Sequence, residues 1–442
     1  MTISISEHFT YGKLLRFAFP TIIMMIFTSL YTIVDGIFVS NLVGAEAFTA
    51  LNLIWPAVGI LGSFGFMIGT GGVALVSKTL GEGQKKTASQ YFSMLIAFEV
   101  ILGITVSVLT LLFIKQLCVI CGATPDLMAD CIAYGWPLMA CQCFFFLSTS
   151  FQSFLVAAGK AKFGLAVTVA AGLSNMILDY VFIAWFKMGI AGASYATALN
   201  WIVGALIPLV WFWKNKESDI HLCRFRWKFK AIGQSCFNGM SEMVTQLSMS
   251  LVLLLYNQVL MRIIGPDGVI AYGVIQYLAF LFSAAFLGYS MAVSPCIGYQ
   301  FGAENHAELK NLLKKSLIII GVGSVVVVLL ADLGAPLLSG IFVSYSDSLM
   351  EMTENAIRIF AFSFLLSGYN IFASGFFTSL NNGPVSAVIS LMRTFVFQVI
   401  CILWLPTVLG LNGVWNASNL AEALSFIVSV LFLVKMRKRY GY

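Results

Sequence analysis

Long apolar stretches separated by short polar segments dominate the hydrophobic pattern of this 442-residue chain. An α-helix needs about 20 apolar residues to cross the hydrocarbon core of a bilayer. The pattern contains twelve stretches of at least that length, so it predicts twelve transmembrane helices. The predicted spans are 14–42, 50–77, 88–114, 132–158, 163–186, 190–213, 232–264, 270–300, 311–334, 353–380, 384–408 and 411–434.

The composition also indicates a membrane protein. Hydrophobic residues make up 60% of the chain and charged residues only 10%, with a mean hydropathy of +0.93. A soluble protein of this size could not bury so much apolar surface, so we expect an all-α polytopic membrane protein. The first span is too long for a removable signal peptide, and it lacks a cleavage site of small residues.

The distribution of Lys and Arg predicts the orientation. Twenty of the 25 basic residues lie in or beside the two termini and the loops that follow every second span. The opposite set of loops and span ends holds only Lys115, Lys187, Arg262 and Arg358. Because basic residues accumulate on the cytoplasmic side, both termini are expected in the cytoplasm. The net charge of +6 follows from this bias, and we expect no nucleic-acid partner.

The second half of the chain repeats the first at a constant offset in residue number, equal to half the chain length. Four landmarks align without a gap: Gly44–Ala50 with Gly265–Ala271, Leu80–Gly83 with Phe301–Glu304, Ala123–Asp126 with Ser344–Asp347, and Gly189–Gly192 with Gly410–Gly413. Such spacing, which we call the half-length offset, indicates an internal duplication. Each copy holds six spans, so the copies share one orientation and are related by a pseudo-two-fold axis along the membrane normal.

This duplication predicts the domain organisation. Residues 1–213 form an N-terminal six-helix lobe, 214–231 a basic cytoplasmic linker, and 232–442 a C-terminal six-helix lobe. Substrate sites are expected near the interface of two such lobes.

An acidic cluster is the main candidate for chemistry. Asp35 lies inside the first span, where a carboxylate costs roughly 2.5–3.5 kcal/mol on insertion scales, so we expect a functional role. Asp35, Asp179 and Thr197 each lie seven residues from the external end of a span, about 10 Å at 1.5 Å per residue. Asn175 precedes Asp179 by one helical turn on the same face. An acid that snorkels to the interface is the alternative, and the shared depth of these side chains disfavours it.

Two carboxylates, an amide and a hydroxyl can form an oxygen-rich site for Na⁺, or a pair of acids that share a proton. The sequence does not choose between the two. At the half-length offset, the four positions carry Tyr256, Val396, Ile400 and Ser418. The acidic cluster therefore belongs to the N-terminal lobe alone, which favours function over packing. A one-residue shift would set Asn257 opposite Asp35, which makes Asn257 a secondary candidate.

The chain resembles the multidrug and toxic compound extrusion (MATE) transporters along almost its full length. The residues that carry the resemblance are Asp35, Gly44–Phe48, Leu80–Gly83, Asn175–Asp179, Gly189–Thr197 and Phe301–Ala303. The resemblance implies twelve helices in two six-helix lobes and efflux of amphiphilic, often cationic, compounds in exchange for a cation. It also implies that Asp35, Asn175, Asp179 and Thr197 form the cation site of the N-terminal lobe.

The chain departs from the family members that carry an acid in the tenth span. Between residues 353 and 380 only Glu354 and Arg358 are charged, which places coupling through an acid there in doubt. Glu422, mid-way along the last span, is a candidate second protonatable or substrate-contacting acid, with a hydrogen-bonded structural role as the alternative. We expect Arg393 to reach the cytoplasmic interface, the alternative being a pairing with an acid of either lobe.

The leading hypothesis is an efflux antiporter in a bacterial-type plasma membrane, acting as a monomer, with H⁺ or Na⁺ as coupling ion and no other cofactor. The runner-up is a flippase of lipid-linked precursors from the same wider superfamily. A flippase that grips pyrophosphate needs several cations in its cavity, and Arg393 is the only basic residue deep in a span. We do not expect an enzyme, because no span contains a histidine and the chain has neither an H-E-x-x-H motif nor a P-loop.

Overall fold

The computed structural model describes residues 4–43, 45–343 and 346–442, which form helices and loops without a β-strand in those ranges. Gly44, Ser344 and Tyr345, which belong to two of the repeat landmarks, lie outside the described residues. In chain order the helices are α1 (Tyr11–Leu42), α2 (Ala45–Gly81), α3 (Lys85–Leu112), α4 (Ile114–Ile120), α5 (Met128–Ala140), α6 (Gln142–Ala157), α7 (Ala161–Asp179), α8 (Ile190–Lys214), α9 (Phe229–Asn238), α10 (Met240–Ile263), α11 (Pro266–Gly302), α12 (His306–Val343), α13 (Asp347–Ala361), α14 (Phe364–Ser379), α15 (Gly383–Leu391), α16 (Phe397–Leu409) and α17 (Leu411–Tyr440). Two π-helical segments, Tyr180–Trp185 and Met392–Val396, follow α7 and α15.

The predicted twelve-span architecture is confirmed. Within the described residues, ten helical segments are long and apolar enough to cross a membrane alone. Two helix pairs qualify together: α5 with α6, bent by 55°, and α13 with α14, bent by 48°. Counting each bent pair as one span gives twelve. The sequence analysis treated both pairs as continuous spans and missed the bends.

The bend between α5 and α6 follows a proline. Pro137 has no N–H to offer, so the carbonyl of Ala133 loses its usual helical partner. The hydroxyl of Ser194 on α8 donates to that carbonyl at 3.4 Å. The helix ends one turn later at Ala140, and α6 leaves in a new direction.

The helix boundaries repeat the half-length offset. Helices α2 and α11 each contain 37 residues, and both their ends differ by that offset. Helices α8 and α17 also begin at equivalent positions, each after a glycine, Gly189 or Gly410, with φ of 59° or 57°. A positive φ favours glycine, so the same turn chemistry recurs in both copies. We call α1–α8 the first repeat and α9–α17 the second repeat.

Both termini and the linker lie at one end of the molecule. The side chain of Gln300, at the end of α11, donates to the carbonyl of Ile5. The ring of His306, at the start of α12, lies 3.0 Å from the carbonyl oxygen of Tyr440. The linker packs on α3, where Ser93 accepts a hydrogen bond from the backbone N–H of Cys223 at 2.9 Å. We call this end the basic end, because the chain's Lys and Arg residues concentrate there.

The two repeats cross closely at the basic end. A Cβ on Gly81 would overlap the carbonyl oxygen of Tyr299, and a Cβ on Gly302 would overlap the carbonyl oxygen of Lys78. These two contacts are equivalent under the half-length offset. The ammonium of Lys78 also lies 5.5 Å from the ring centroid of Phe301. The ends of α2 and α11 therefore pack backbone against backbone.

A strap formed by residues 5–9 adds a second connection at this end. The backbone N–H of Phe9 donates to Glu308 at 2.9 Å, and the carbonyl of Phe9 accepts from Asn311 at 3.0 Å. The ring of His8 also contacts the Glu308 carboxylate. Because Phe9 precedes α1 and Glu308 lies on α12, the strap joins the first repeat to the second.

Candidate functional site

The two acids predicted for the first repeat meet in the structure. Asp35 on α1 is 7% exposed and Asp179 at the end of α7 is fully buried. Their carboxyl groups are close enough to interact electrostatically. Two ionised carboxylates in contact repel strongly, so this geometry suits a pair that shares a proton or holds a cation.

A close crossing of α1 and α7 brings the acids together. A Cβ on Gly172 would lie only 2.9 Å from the ring of Tyr31, so the two helices approach closely there. Asn175 and Asp179 follow Gly172 along the same face of α7, and Asp35 follows Tyr31 by one turn of α1. Gly172 allows this close crossing, and the crossing sets the positions of Asp35 and Asp179 one to two turns further along the two helices.

Helix α8 brings Thr197 to the same depth. The side chains of Tyr31 and Asn200 interact and line the same cavity, so α1 and α8 meet at this level. The two helices run in opposite directions, and Thr197 precedes Asn200 by one turn. Helical spacing therefore places Thr197 near the level of Asp35, which lies one turn beyond Tyr31.

Several polar atoms of this cluster are buried without a partner among the described residues. They are one oxygen of Asp35, both carboxylate oxygens of Asp179, the Thr197 hydroxyl and the Asn175 amide nitrogen. A buried polar group without a hydrogen bond costs about 1–3 kcal/mol, so such a set indicates a missing partner. Most of these atoms are oxygens, the ligands that hard cations prefer, and they equally suit a bound proton. The residues present therefore fit H⁺ and Na⁺.

Tyr134 on α5 is a member of this cluster that the sequence analysis missed. It is fully buried, its hydroxyl has no hydrogen-bond partner in the described part of the chain, and it interacts electrostatically with Asp35 and Asp179. Nothing in the sequence distinguishes it from other aromatic residues of the spans. Tyr31 and Asn200 did carry a signal, because they lie at helical spacing from Asp35 and Thr197.

A π-helical segment begins directly after Asp179. Within it, the backbone N–H of Phe186 donates to the carbonyl of Val181, five residues back, at 2.9 Å. The π turn is a wider turn than that of an α-helix and is frequent at functional sites. The hydrophobic pattern contained no signal for it.

A cavity of about 90 Å³ extends from the acid cluster towards the basic end. Tyr31 and Asn200 line it next to the acids, and Trp201 and Phe145 stack with ring centroids 4.5 Å apart along its wall. The other polar lining residues are Thr28, Ser148, Thr149, Gln152 and Thr168. A cavity with this lining can hold several water molecules.

The equivalent place in the second repeat is closed by neutral hydrogen bonds. Tyr256, the counterpart of Asp35, donates to the Gln398 side chain at 2.9 Å and lies 3.1 Å from the hydroxyl of Ser418. Ser418, the counterpart of Thr197, donates to the same oxygen of Gln398 at 3.3 Å. The two repeats thus share a backbone and differ in chemistry at this point.

The secondary candidates lie elsewhere. Glu422 and Arg393 form an ion pair, with Nε of Arg393 2.9 Å from a Glu422 oxygen. The expectation that Arg393 reaches the interface was wrong, because the acid on α17 is a closer partner. Asn257 lies on the outer part of α10 and lines an open groove of about 580 Å³ between α10 and α11, beside Arg262.

Glu99 is a further buried acid, and it lies within the predicted third span. It is fully buried on α3 and hydrogen-bonded to Ser150 of α6. The Ser150 hydroxyl also lies 3.0 Å from the carbonyl oxygen of Gly65. Glu99 therefore joins the packing of three helices of the first repeat.

The MatE family model matches residues 20–181 and again residues 242–404. The chain belongs to the MATE family. The starting points of the two matches are separated by close to half the chain length, as the internal repeat requires. The resemblance inferred from the sequence motifs is therefore confirmed, and the MATE fold explains the twelve spans.

Similar proteins align with nearly the whole length of this MATE chain. Multidrug export protein MepA of Staphylococcus aureus (strain MSSA476) is 24% identical over 431 residues, which span 97% of this chain and 94% of MepA. A solved outward-facing conformation of a multidrug resistance MATE family transporter has a TM-score of 0.93 at 24% identity, covering 99% of this chain and 98% of that one.

A second solved structure is that of a MOP superfamily transporter from Pyrococcus furiosus, described as having a binding pocket of reverse polarity that suggests a different function. It has a TM-score of 0.92 at 24% identity, covering 99% of this chain and 98% of that one. At such identity the structural likeness establishes the fold alone.

Proposed function

We propose that this MATE protein is a secondary active efflux transporter that exchanges amphiphilic or cationic organic compounds for H⁺ or Na⁺. The observation that carries the proposal is the buried Asp35–Asp179 pair, in which one oxygen of Asp35 and both oxygens of Asp179 have no described hydrogen-bond partner. Carboxylates inside a membrane are costly and mark ion or proton pathways. The substrate class is supported by the name of MepA, a multidrug export protein.

The proposed transport cycle is alternating access between two lobes. Residues 1–213 and 232–442 move as nearly rigid bodies about the linker 214–231. The glycine crossing and the strap close the basic end in this conformation. Because basic residues mark the cytoplasmic side, the closed end faces the cytoplasm and the state releases substrate outward. The protein works as a monomer in a bacterial-type plasma membrane.

Coupling requires that the cation and the drug change each other's affinity. A cation bound between Asp35 and Asp179 draws α1 and α7 together, whereas an empty pair repels. Any resulting change in drug affinity is reciprocal and typically amounts to ~1–3 kcal/mol. Asn175, Thr197 and Tyr134 would complete the oxygen-rich surroundings of the cation.

Reconstituted vesicles test this function. The purified protein should transport a fluorescent organic cation when a pH gradient or a Na⁺ gradient is imposed, and each gradient is applied separately. Asp35→Asn should abolish gradient-driven transport, whereas Tyr256→Phe, at the matched position of the second repeat, should retain most of it. Transport that ignores both gradients would contradict the proposal.

The alternative of a lipid-linked precursor flippase finds less support. Its pyrophosphate would need free cations in the central cavity, and the deep basic residue Arg393 is already paired with Glu422. The same vesicles should leave a fluorescent lipid-linked pyrophosphate in its original leaflet. Movement of that lipid without movement of the organic cation would favour the flippase.

A further inference from the structure

The second repeat contains a polar network where the first repeat has its cavity. Thr149, Trp201 and Pro208 line that cavity, and their counterparts at the half-length offset are Asn370, Glu422 and Ser429. Ser429 donates to the Asn370 side-chain oxygen at 2.8 Å, and Asn370 donates to the Glu422 carboxylate at 2.7 Å. An acid and its hydrogen-bond partners therefore occupy the interior of the second repeat.

Arg393 completes this network with a positive charge. Its Nε lies 2.9 Å and 3.2 Å from the two carboxylate oxygens of Glu422. The side chains of Glu422 and Arg393 are only 7% and 17% exposed. Both oxygens of Glu422 thus have partners, in contrast to those of Asp179 in the first repeat. The counterpart of Arg393 is Gly172, so the first repeat has no side chain at this place.

In each repeat, the equivalent span contains a π-helical segment at or beside a charged residue. Arg393 lies within the π-helical segment Met392–Val396, where the Phe397 N–H reaches the Met392 carbonyl five residues back. In the first repeat the π-helical segment starts just after Asp179. A π turn frequently marks a functional position. These equivalent spans thus carry an acid, Asp179, in the first repeat and a guanidinium group, Arg393, in the second.

Glu242 on α10 also interacts electrostatically with Arg393. Tyr369 lies next to Asn370 on α14, and its ring packs edge-on to Phe426 with centroids 5.5 Å apart. The surroundings of Arg393 therefore hold two acids. A site with this charge would attract a small cation if the guanidinium were absent.

We propose that Arg393 is a tethered cation that permanently fills a monovalent-cation site formed by Glu422 and Asn370. If the protein has the function proposed above, this arrangement confines cation exchange to the first repeat. Shortening Arg393 opens the latent site to guanidinium-type cations, Na⁺ or H⁺. A buried ion pair contributes little net stability compared with apolar residues of similar size. The informative measurement is therefore whether another cation can replace Arg393 in neutralising the charge of Glu422.

Chemical rescue tests the site. Arg393→Ala should lower the Tm of the purified protein, and methylguanidinium should restore part of the loss. Methylurea, which has a similar shape without the charge, should not. In the double variant Arg393→Ala/Glu422→Gln, methylguanidinium should have no effect, and the wild-type protein should not respond either. Equal rescue by methylurea, or an equal response of the double variant, would overturn the proposal.

A second variant covers the case in which Arg393→Ala cannot be purified. Arg393→Met/Glu422→Leu removes both charges and keeps similar side-chain volume, so it should fold. If it folds while Arg393→Ala does not, the uncompensated charge of Glu422 is the cause. If neither folds, the network acts through packing and the proposal fails.

Transport by Arg393→Met/Glu422→Leu tests whether cation exchange is confined to the first repeat. Arg393→Met/Glu422→Leu should retain gradient-driven transport with an unchanged cation-to-drug ratio in reconstituted vesicles. A lower ratio would mean that Glu422 takes part in exchange and would overturn the proposal. If the wild-type protein shows no gradient-driven transport, the proposed function fails, and the chemical rescue still decides whether the site exists.

Discussion

Gly302→Ala should loosen the closed basic end. The new Cβ would overlap the Lys78 carbonyl oxygen and would lie 2.8 Å from its carbonyl carbon and 3.0 Å from its Cα. All of these are backbone atoms, so no side-chain rotation can relieve the overlap. Carbon atoms normally pack at about 3.5–4.0 Å, so α2 and α11 must separate by roughly 0.7 Å or more. Gly81→Ala should act in the same way, because its contact with Tyr299 is the repeat-related one.

The size of the effect follows from two opposing terms. Overpacking of a close contact typically costs ~1–3 kcal/mol. Alanine stabilises a helix by about 1 kcal/mol relative to glycine, but it does so in the open and closed states alike. If the crossing exists only when the basic end is closed, the penalty falls on the closed state alone. The equilibrium should then shift towards the open state by about 5–150-fold.

Hydrogen–deuterium exchange in lipid nanodiscs measures this shift. Gly302→Ala and Gly81→Ala should each speed amide exchange in peptides that cover the basic ends of α2 and α11. Gly59→Ala is the matched control, because Gly59 also lies on α2 and a Cβ there would meet no atom within 4 Å. Unchanged exchange in both variants, or an equal change in the control, would refute the argument.

Three further predictions test other parts of the account. Ser150→Ala removes the hydrogen bond to Glu99 and should lower the free energy of unfolding by about 1–3 kcal/mol; an unchanged melting curve would contradict this. Tyr134→Phe should keep the Tm and shift the pH or Na⁺ dependence of drug binding measured by calorimetry; identical titrations would remove Tyr134 from the site. A compartment reporter fused after Tyr442 should report the cytoplasm and one inserted at Asp347 the exterior, and the reverse result would invert the topology.

The fold was largely predictable because the bilayer restricts it. Hydrocarbon thickness sets the length of each span, and the half-length offset fixes the repeat, whose helix ends follow the same spacing. The bends were not predicted, since mean hydropathy stays high through a broken helix. Pro137 carried the local signal for the first bend, whereas α13 and α14 separate without a proline between them.

The site was predictable only where charge is out of place. Asp35 and Asp179 stood out because acids are rare in spans, and their contact followed from depth. Tyr134 could not be found, because its hydroxyl matters only through neighbours on other helices. The sequence offered a pairing of Arg393 with an acid only as the alternative, and it did not identify Glu422 as the partner. Arg393 lies deeper than Glu422 when both are counted from Gly410, and the difference of about 7.5 Å is one that a long side chain bridges.

Binding of an organic cation to purified Asp35→Asn tests the central claim most directly. Affinity should be measured from acidic to mildly alkaline pH, with and without Na⁺, beside the wild-type protein and Tyr256→Phe. Asparagine keeps the size of the side chain and removes its charge, so the variant should still bind the drug while its affinity no longer responds to pH or Na⁺. The wild-type protein and Tyr256→Phe should show the response, by about 1–3 kcal/mol across the transition. A wild-type response in Asp35→Asn would contradict the claim and place the coupling acid elsewhere in the chain.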